Sequence, residues 1–345
     1  MLNVRRNKDL ESPALFRLAA ATPLCYDFLP WPPHLLSREE DKTMRIAIIG
    51  AGALGLYYGA MLQRAGNEVQ FLLRRDFEAV CSRGLTVTSP KGDFHLARVL
   101  GFRNPDEMGP ADLVLVGLKT IDNERLAELV RPLMQKNTAV LTLQNGLGNE
   151  ELLAEAFGPE RVLGGVAFLC SNRGAPGTVH HLGEGAVRLG EFSGKFSARA
   201  EGLAATFSAA GIPCQSVPDL VKARWEKLVW NIPFNGLCAL TGKTTSDLLA
   251  SPAVREQALA LMGEVVEAAN AQGLSNPIDG NAFCARMMGL TEGMDRYRPS
   301  MMIDRQEGRP LELEAIFGTP LRRAAEKGVE MTRVRLLEAL LKLGE

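Results

Sequence analysis

From Met44 onward, short apolar runs alternate with glycine turns and amphipathic stretches. Arg45-Ile46-Ala47-Ile48-Ile49 is an almost continuous apolar run rich in β-branched residues, the pattern of a parallel strand buried on both faces. Gly50 to Gly55 makes a turn, Leu54 to Ala65 has helical spacing, Gly66 ends it, and Val69 to Leu73 returns as a second strand. Leu113 to Leu118 and Ala139 to Leu143 repeat the strand pattern on either side of a helix-compatible segment, Asn123 to Met134. This alternation predicts a doubly wound parallel sheet. Beyond residue 216 the strand signal ends. Ala253 to Gln272, introduced by Ser251 and Pro252, places Leu259, Met262, Val265, Val266 and Ala269 on one stripe, and Leu311 to Lys327 and Thr332 to Leu343 also have helical spacing. The predicted fold class is α/β: an N-terminal Rossmann-type doubly wound sheet over 44–216, then an all-helical C-terminal domain over 217–345, divided near Pro213 to Pro218.

Residues 1–43 carry five prolines and no sustained period, so a poorly ordered N-terminal extension is expected there, with translation from Met44 as the alternative. A secretory signal is disfavoured because Arg17, Pro23 and Asp27 break the only apolar stretch. A net charge of -1 over 345 residues argues against nucleic-acid or polybasic membrane binding. Six cysteines, widely spaced and without a C-x-x-C pair, suit a reducing, cytoplasmic setting with no metal site.

Gly50-Ala51-Gly52-Ala53-Leu54-Gly55 is G-x-G-x-x-G between a buried strand and a helix, the context a dinucleotide site requires. Gly50 permits the tight turn, Gly52 lets backbone approach a pyrophosphate, and Gly55 allows close helix-to-strand packing. Ala53 and Leu54 open the helix whose N-terminus faces the phosphates. Arg74, 19 residues after Gly55, falls where an acid would select NAD and an arginine can pair with the 2'-phosphate of NADPH/NADP. The alternative leaves Arg74 and Arg75 as solvated charges and gives the ribose to Asp76.

Among the helical segments, Lys227, Asn231 and Asn235 lie at i, i+4 and i+8 between Trp225, Leu228, Val229, Ile232 and Phe234. Pro233 breaks a local rule in the same stretch. The stripe is either a site or a solvent face. Pro299 to Asp304 can form a short helix, broken by Gly308 to Pro310. Pro310 suits the first position of a following one, whose first turn would hold Glu312 and Glu314 as simple N-terminal stabilisers.

Taken together, these motifs resemble the ketopantoate reductase (2-dehydropantoate 2-reductase) family. The resemblance runs from Met44 to the C-terminus. It rests on Met44 to Gly55, Leu118-Lys119, Gln144-Asn145-Gly146, the Lys227 to Asn235 segment, and Ser300 to Asp304 followed by Gly308 to Glu312. It implies NADPH-dependent reduction of the C2 ketone of 2-dehydropantoate to pantoate, on the route to coenzyme A. By position it implies Lys227 as catalytic general acid, Glu312 as its acidic partner keeping it oriented, and Asn231, Asn235 and Ser300 as substrate-binding residues. Lys119 and Asn145 would line the nicotinamide side, and Arg74 the 2'-phosphate. The chemistry agrees with these types, since hydride transfer builds alkoxide charge that a cationic donor can stabilise and protonate. Asn145-Gly146, read without the resemblance, is also a common turn pair. The expected partner is a small-molecule keto acid, with no nucleic acid and no membrane, and a homodimer is compatible with this reading.

The chain departs from the family pattern at Tyr297, Pro299, Leu311 and Phe317. More apolar positions suit a less polar 2-keto acid, the alternative substrate class. A catalytically silent NADPH-binding regulatory protein is the alternative outside enzymes. His180-His181, among glycines, is read as a surface or edge-strand pair, Trp225 and Trp230 as packing residues, and Cys170 and Cys238 as small apolar side chains.

Overall fold

The computed structural model describes residues 43–344 apart from Asp295; residues 1–42 of the expected extension lie outside the described residues. The chain opens with β1 (Arg45–Ile49), α1 (Ala53–Arg64) and β2 (Glu68–Leu72), then α2 (Phe77–Arg83), β3 (Leu85–Thr88), β4 (Phe94–Leu96) and β5 (Leu100–Phe102). It continues through β6 (Leu113–Val116), α3 (Leu126–Val130), β7 (Ala139–Thr142) and α4 (Asn149–Phe157) into two long strands, β8 (Val162–Arg173) and β9 (Thr178–Glu191). After α5 (Ala198–Ala209) and β10 (Cys214–Ser216), the rest is helical: α6 (Leu220–Thr241), α7 (Thr245–Leu249), α8 (Pro252–Asn270), α9 (Gly280–Glu292), α10 (Ser300–Gln306), α11 (Thr319–Glu326) and α12 (Thr332–Lys342).

Six parallel strands run in the order β5-β2-β1-β6-β7-β8. The order reverses between β1 and β6, so a crevice lies beyond their carboxyl ends, where doubly wound sheets bind ligands. The apolar run of β1 splits between two cores. Ile46 and Ile48 pack on one face with Leu113 and Leu115, and Ala47 and Ile49 on the other with Val114 and Val116. That division explains why the run shows no polar alternation. A third core, from Trp225 to Leu341, holds the helices together around α6 and α8. No helix among the described residues is long and apolar enough to cross a membrane.

Three expectations need correction. The antiparallel hairpin of β8 and β9 gave no clear pattern in the sequence, because its glycines and polar residues mask alternation. It extends the sheet to β3, β4 and β10. His180 and His181 therefore lie in an interior strand, paired with both β3 and β8, and His181 is buried against the Tyr57 ring at 4.4 Å. Second, the segment from Asn123 to Met134 is not one helix but α3 flanked by tighter 3-10 turns, the second containing Pro132. Third, the helix expected from Leu311 starts at Leu313 and runs as a π-helix, Glu314–Gly318, before α11. Pro310 thus precedes the helix rather than opening it. Glu312 stands ahead of the first turn with its side chain directed elsewhere.

Packing of α1 on the sheet depends on Gly59. A Cβ there would lie 2.4 Å from the Phe71 ring, which is fully buried and has nowhere to move. Gly59→Val is expected to destabilise the fold by about 2–3 kcal/mol through overpacking. Urea unfolding should show the midpoint falling with the slope unchanged.

Candidate active site

The turn after β1 packs directly on the turn after β6. Gly50 has φ +98°, and a Cβ there would sit 2.3 Å from the Leu118 amide nitrogen, so only glycine fits. Gly55 is equally tight, 2.2 Å from the Gly50 carbonyl oxygen, whereas a Cβ on Gly52 would meet nothing within 4 Å. That open side of Gly52 lies at the start of α1, which has no side-chain cap and no acidic residue in its first turn. Such a terminus fits a pyrophosphate, with Ala53 and Leu54 presenting the first turn to it. Arg74 is largely exposed and reaches the Asp122 carboxylate at 3.1 Å. Asp76, the alternative ribose reader, is turned inward: it is 2% exposed, pairs with Arg173 and accepts the Gly177 N–H at 3.0 Å.

Lys227 projects from α6 toward the carboxyl ends of the strands. Its ammonium donates to Asn145 Oδ1 at 2.7 Å and to the Ala167 carbonyl at 2.8 Å. Asn145 stands three residues after β7. Ala167 lies in β8 just before a register shift between Phe168 and Leu169, an irregularity of the kind that re-aims backbone near sites. Both acceptors are neutral. Burial, with the Arg224 guanidinium nearby and against an opposing pull from Glu312, lowers the Lys227 ammonium to about 7.

Lys119, three residues after β6, has the opposite environment. It donates to Asp304 Oδ2 at 2.7 Å and Glu312 Oε2 at 3.3 Å, and both carboxylates are almost fully buried. Burial works against its charge, but the two acids outweigh it and hold its pKa above the usual lysine range. Glu312 also accepts the Thr120 N–H at 2.9 Å. Glu312 thus bonds Lys119 and the Thr120 N–H and acts on Lys227 as a nearby opposite charge. Asn145 and Ala167 hold Lys227, while Glu312 ties the helical region to the turn after β6.

The stripe on α6 is not a solvent face, because Asn231 and Asn235 are 5% and 2% exposed. Asn235 Oδ1 accepts the Met301 N–H at 3.4 Å and so joins α6 to the first turn of α10, next to exposed Ser300. Trp225 is core, and Trp230 packs its ring 5.2 Å from Phe234 and 6.0 Å from Tyr297. Tyr297 lies near the Cys170 thiol of β8, and burial raises the pKa of both groups. Leu311 and Phe317 fill the helical core rather than a polar pocket.

Several supporting residues escaped the sequence reading. Asp304 was visible in the Ser300 to Asp304 run but carried no role. Arg224, one turn before Lys227, is buried and spans three acceptors: the Glu150 carboxylate at 2.8 Å, the Gln144 carbonyl at 2.6 Å and the Thr142 carbonyl at 3.2 Å. A buried arginine has no local sequence signal, since its partners lie over 70 residues away. Glu150→Ala would leave that guanidinium without its charge partner, and the expected cost is about 3–5 kcal/mol of stability, measured by urea unfolding.

Residues 46–194 match the family model described as ketopantoate reductase PanE/ApbA, and residues 219–345 match the model of its C-terminal region. A 2-dehydropantoate 2-reductase from Nostoc sp. is 42% identical over 303 residues, covering 86% of this chain and 94% of that protein. The crystal structure of 2-dehydropantoate 2-reductase from Geobacter metallireducens GS-15 is 57% identical with a TM-score of 0.86, covering 88% of this chain and 100% of that one. A ternary structure of D-mandelate dehydrogenase with NADH and anilino(oxo)acetate shares the fold, at 24% identity and a TM-score of 0.80 over 87% of this chain and 98% of that one. The chain belongs to the ketopantoate reductase family.

Proposed function

We propose that the protein is an NADPH-dependent 2-dehydropantoate 2-reductase, producing (R)-pantoate on the route to coenzyme A, with Lys227 as general acid. The observation that carries this reading is the Lys227 ammonium, lowered to about 7 and held by Asn145 and Ala167 at the mouth of the dinucleotide crevice. A reduced nicotinamide, when bound, supplies a hydride. The chain's own task is to position the keto acid and manage the charge and proton. As C2 of the substrate is reduced, its carbonyl oxygen becomes negative. Lys227 stabilises that charge and gives up a proton at Nζ, at low cost because its pKa is near neutrality. Asn231, Asn235 and Ser300 supply neutral groups for the substrate's carboxylate and hydroxyl. Gly50, Gly52, Ala53, Leu54 and Gly55 accommodate the pyrophosphate, and Arg74 takes the 2'-phosphate in exchange for Asp122. Lys119 stays cationic beside the nicotinamide side because Asp304 and Glu312 fix it there.

A reductase of a less polar 2-keto acid is the second reading, favoured by the Tyr297 ring beside Trp230. NADPH oxidation by purified protein, with 2-dehydropantoate and 2-oxoisovalerate in parallel and NADH as control, separates the two. Preferential turnover of 2-dehydropantoate with NADPH is expected, and preference for the branched keto acid moves the assignment to the second reading.

Lys227→Ala should lower kcat by roughly a hundredfold or more, the loss typical of a general acid. NADPH affinity, measured by fluorescence titration, should hardly change; a variant of near-normal turnover removes Lys227 from the mechanism. The pH profile carries a sign. Reduction requires the protonated amine, so kcat/KM should be high below about 7 and fall as pH rises through it, while oxidation of pantoate should rise over the same interval.

A further inference from the structure

The segment following β2 holds two features with opposite cofactor preferences. Arg74 favours a 2'-phosphate, yet two residues later stands Asp76, the residue type that selects an unphosphorylated ribose in this fold. Geometry shows how the conflict is resolved. Asp76 Oδ2 is engaged by the Arg173 guanidinium at the end of β8, and Asp76 Oδ1 accepts the Gly177 N–H at 3.0 Å. Both carboxylate oxygens thus point into the β8–β9 turn. Arg75 reaches the same turn and donates to the Gly174 carbonyl at 2.7 Å.

We propose that Arg173 is a cofactor-selectivity residue: it withholds Asp76 from the ribose and joins Arg74 and Arg75 in a cationic basin for the 2'-phosphate. This rests on the NADPH reading above and extends it to a residue 99 positions beyond Arg74, on a different element. The charge pattern agrees with the geometry. Burial, then the like charges of Arg75, Arg309 and Arg74, work against the Arg173 cation and lower its pKa. Arg309, which also bonds Asp304 at 2.9 Å, brings the helical region into the same field. A dianionic phosphate meets guanidinium groups with charge-assisted hydrogen bonds and offsets the like charges around Arg173. Among the described residues, Asp122 competes for Arg74, and exposed pairs of that kind are weak.

The test is calorimetric titration of the full-length protein with 2',5'-ADP and 5'-AMP, alongside kcat/KM with NADPH and NADH. Wild type should prefer the 2'-phosphorylated ligand. Arg173→Met should weaken 2',5'-ADP by roughly tenfold or more and strengthen 5'-AMP and NADH as Asp76 is released, with Arg173→Lys retaining most of the preference. Because Arg173→Met leaves a buried carboxylate unpaired, the double variant Arg173→Met, Asp76→Asn serves as the control for folding. It should lose 2',5'-ADP affinity without gaining affinity for 5'-AMP. If wild type prefers 2',5'-ADP but every variant keeps that preference, Arg173 is a structural staple and the proposal fails while the NADPH reading stands. A wild type without the preference overturns both.

Discussion

A lysine ammonium enclosed where the sheet meets the helices, and bonded only to neutral acceptors, sets the requirements for the surrounding structure. Lys227 keeps its proton with difficulty because burial removes water and Arg224 adds a like charge one turn away. That arrangement survives only if the backbone presenting its acceptors is rigid. The end of β7 supplies Asn145, the irregular stretch of β8 supplies the Ala167 carbonyl, and Arg224, clamped on Glu150 and two carbonyls, fixes α6 above both. Arg224 therefore has two effects through one placement: it holds the helix and it lowers the pKa of the residue three positions on.

The second lysine shows what the same crevice does with counter-ions. Lys119 sits between two buried carboxylates and stays charged, whereas Lys227 has none in contact and sits near neutrality. Environments that push two like groups apart in this way separate a permanently charged amine from one that titrates near neutrality. Asp304 and Glu312 both come from the helical region, so the ion pairs with Lys119 also decide how that region seats on the sheet. Gly146 adds to this seat. Its φ of +79° and a would-be Cβ 2.3 Å from the Ala315 carbonyl let the turn after β7 nest against the π-helix. The helix starts at Leu313, and Glu312, just ahead of it, extends its carboxylate to Lys119.

Legibility in the sequence followed the range of the interactions. The β1–turn–α1 unit was plain because strand, glycines and helix are contiguous and each glycine answers a local steric demand. The i, i+4, i+8 stripe of α6 located three polar residues, but their burial could not be read from spacing, since a solvent face has the same period. The family resemblance gave roles to Lys227 and Glu312 but not the bond between Glu312 and Lys119. Which carboxylate meets which lysine depends on a contact between residues 193 positions apart. Arg173, Arg224 and Asp304 were missed for the same reason. The β8–β9 hairpin was missed for a different one: it pairs within a wide sheet, so neither face needs the clean alternation of a half-exposed strand.

Burial also changes the meaning of the departures from the family pattern. Leu311 and Phe317 suggest a less polar pocket when counted as sequence differences. In the fold, Phe317 is fully buried under α6, where a Cβ on Gly236 would approach its ring to 3.1 Å, and Leu311 belongs to the same helical core. Apolar residues at those two positions are matched to packing neighbours in the helical core. Tyr297 differs, because its ring lies beside Trp230 and its hydroxyl meets Cys170 across the junction between helices and sheet. The question of substrate polarity raised by these three residues therefore narrows to Tyr297, the one that spans the two halves of the site.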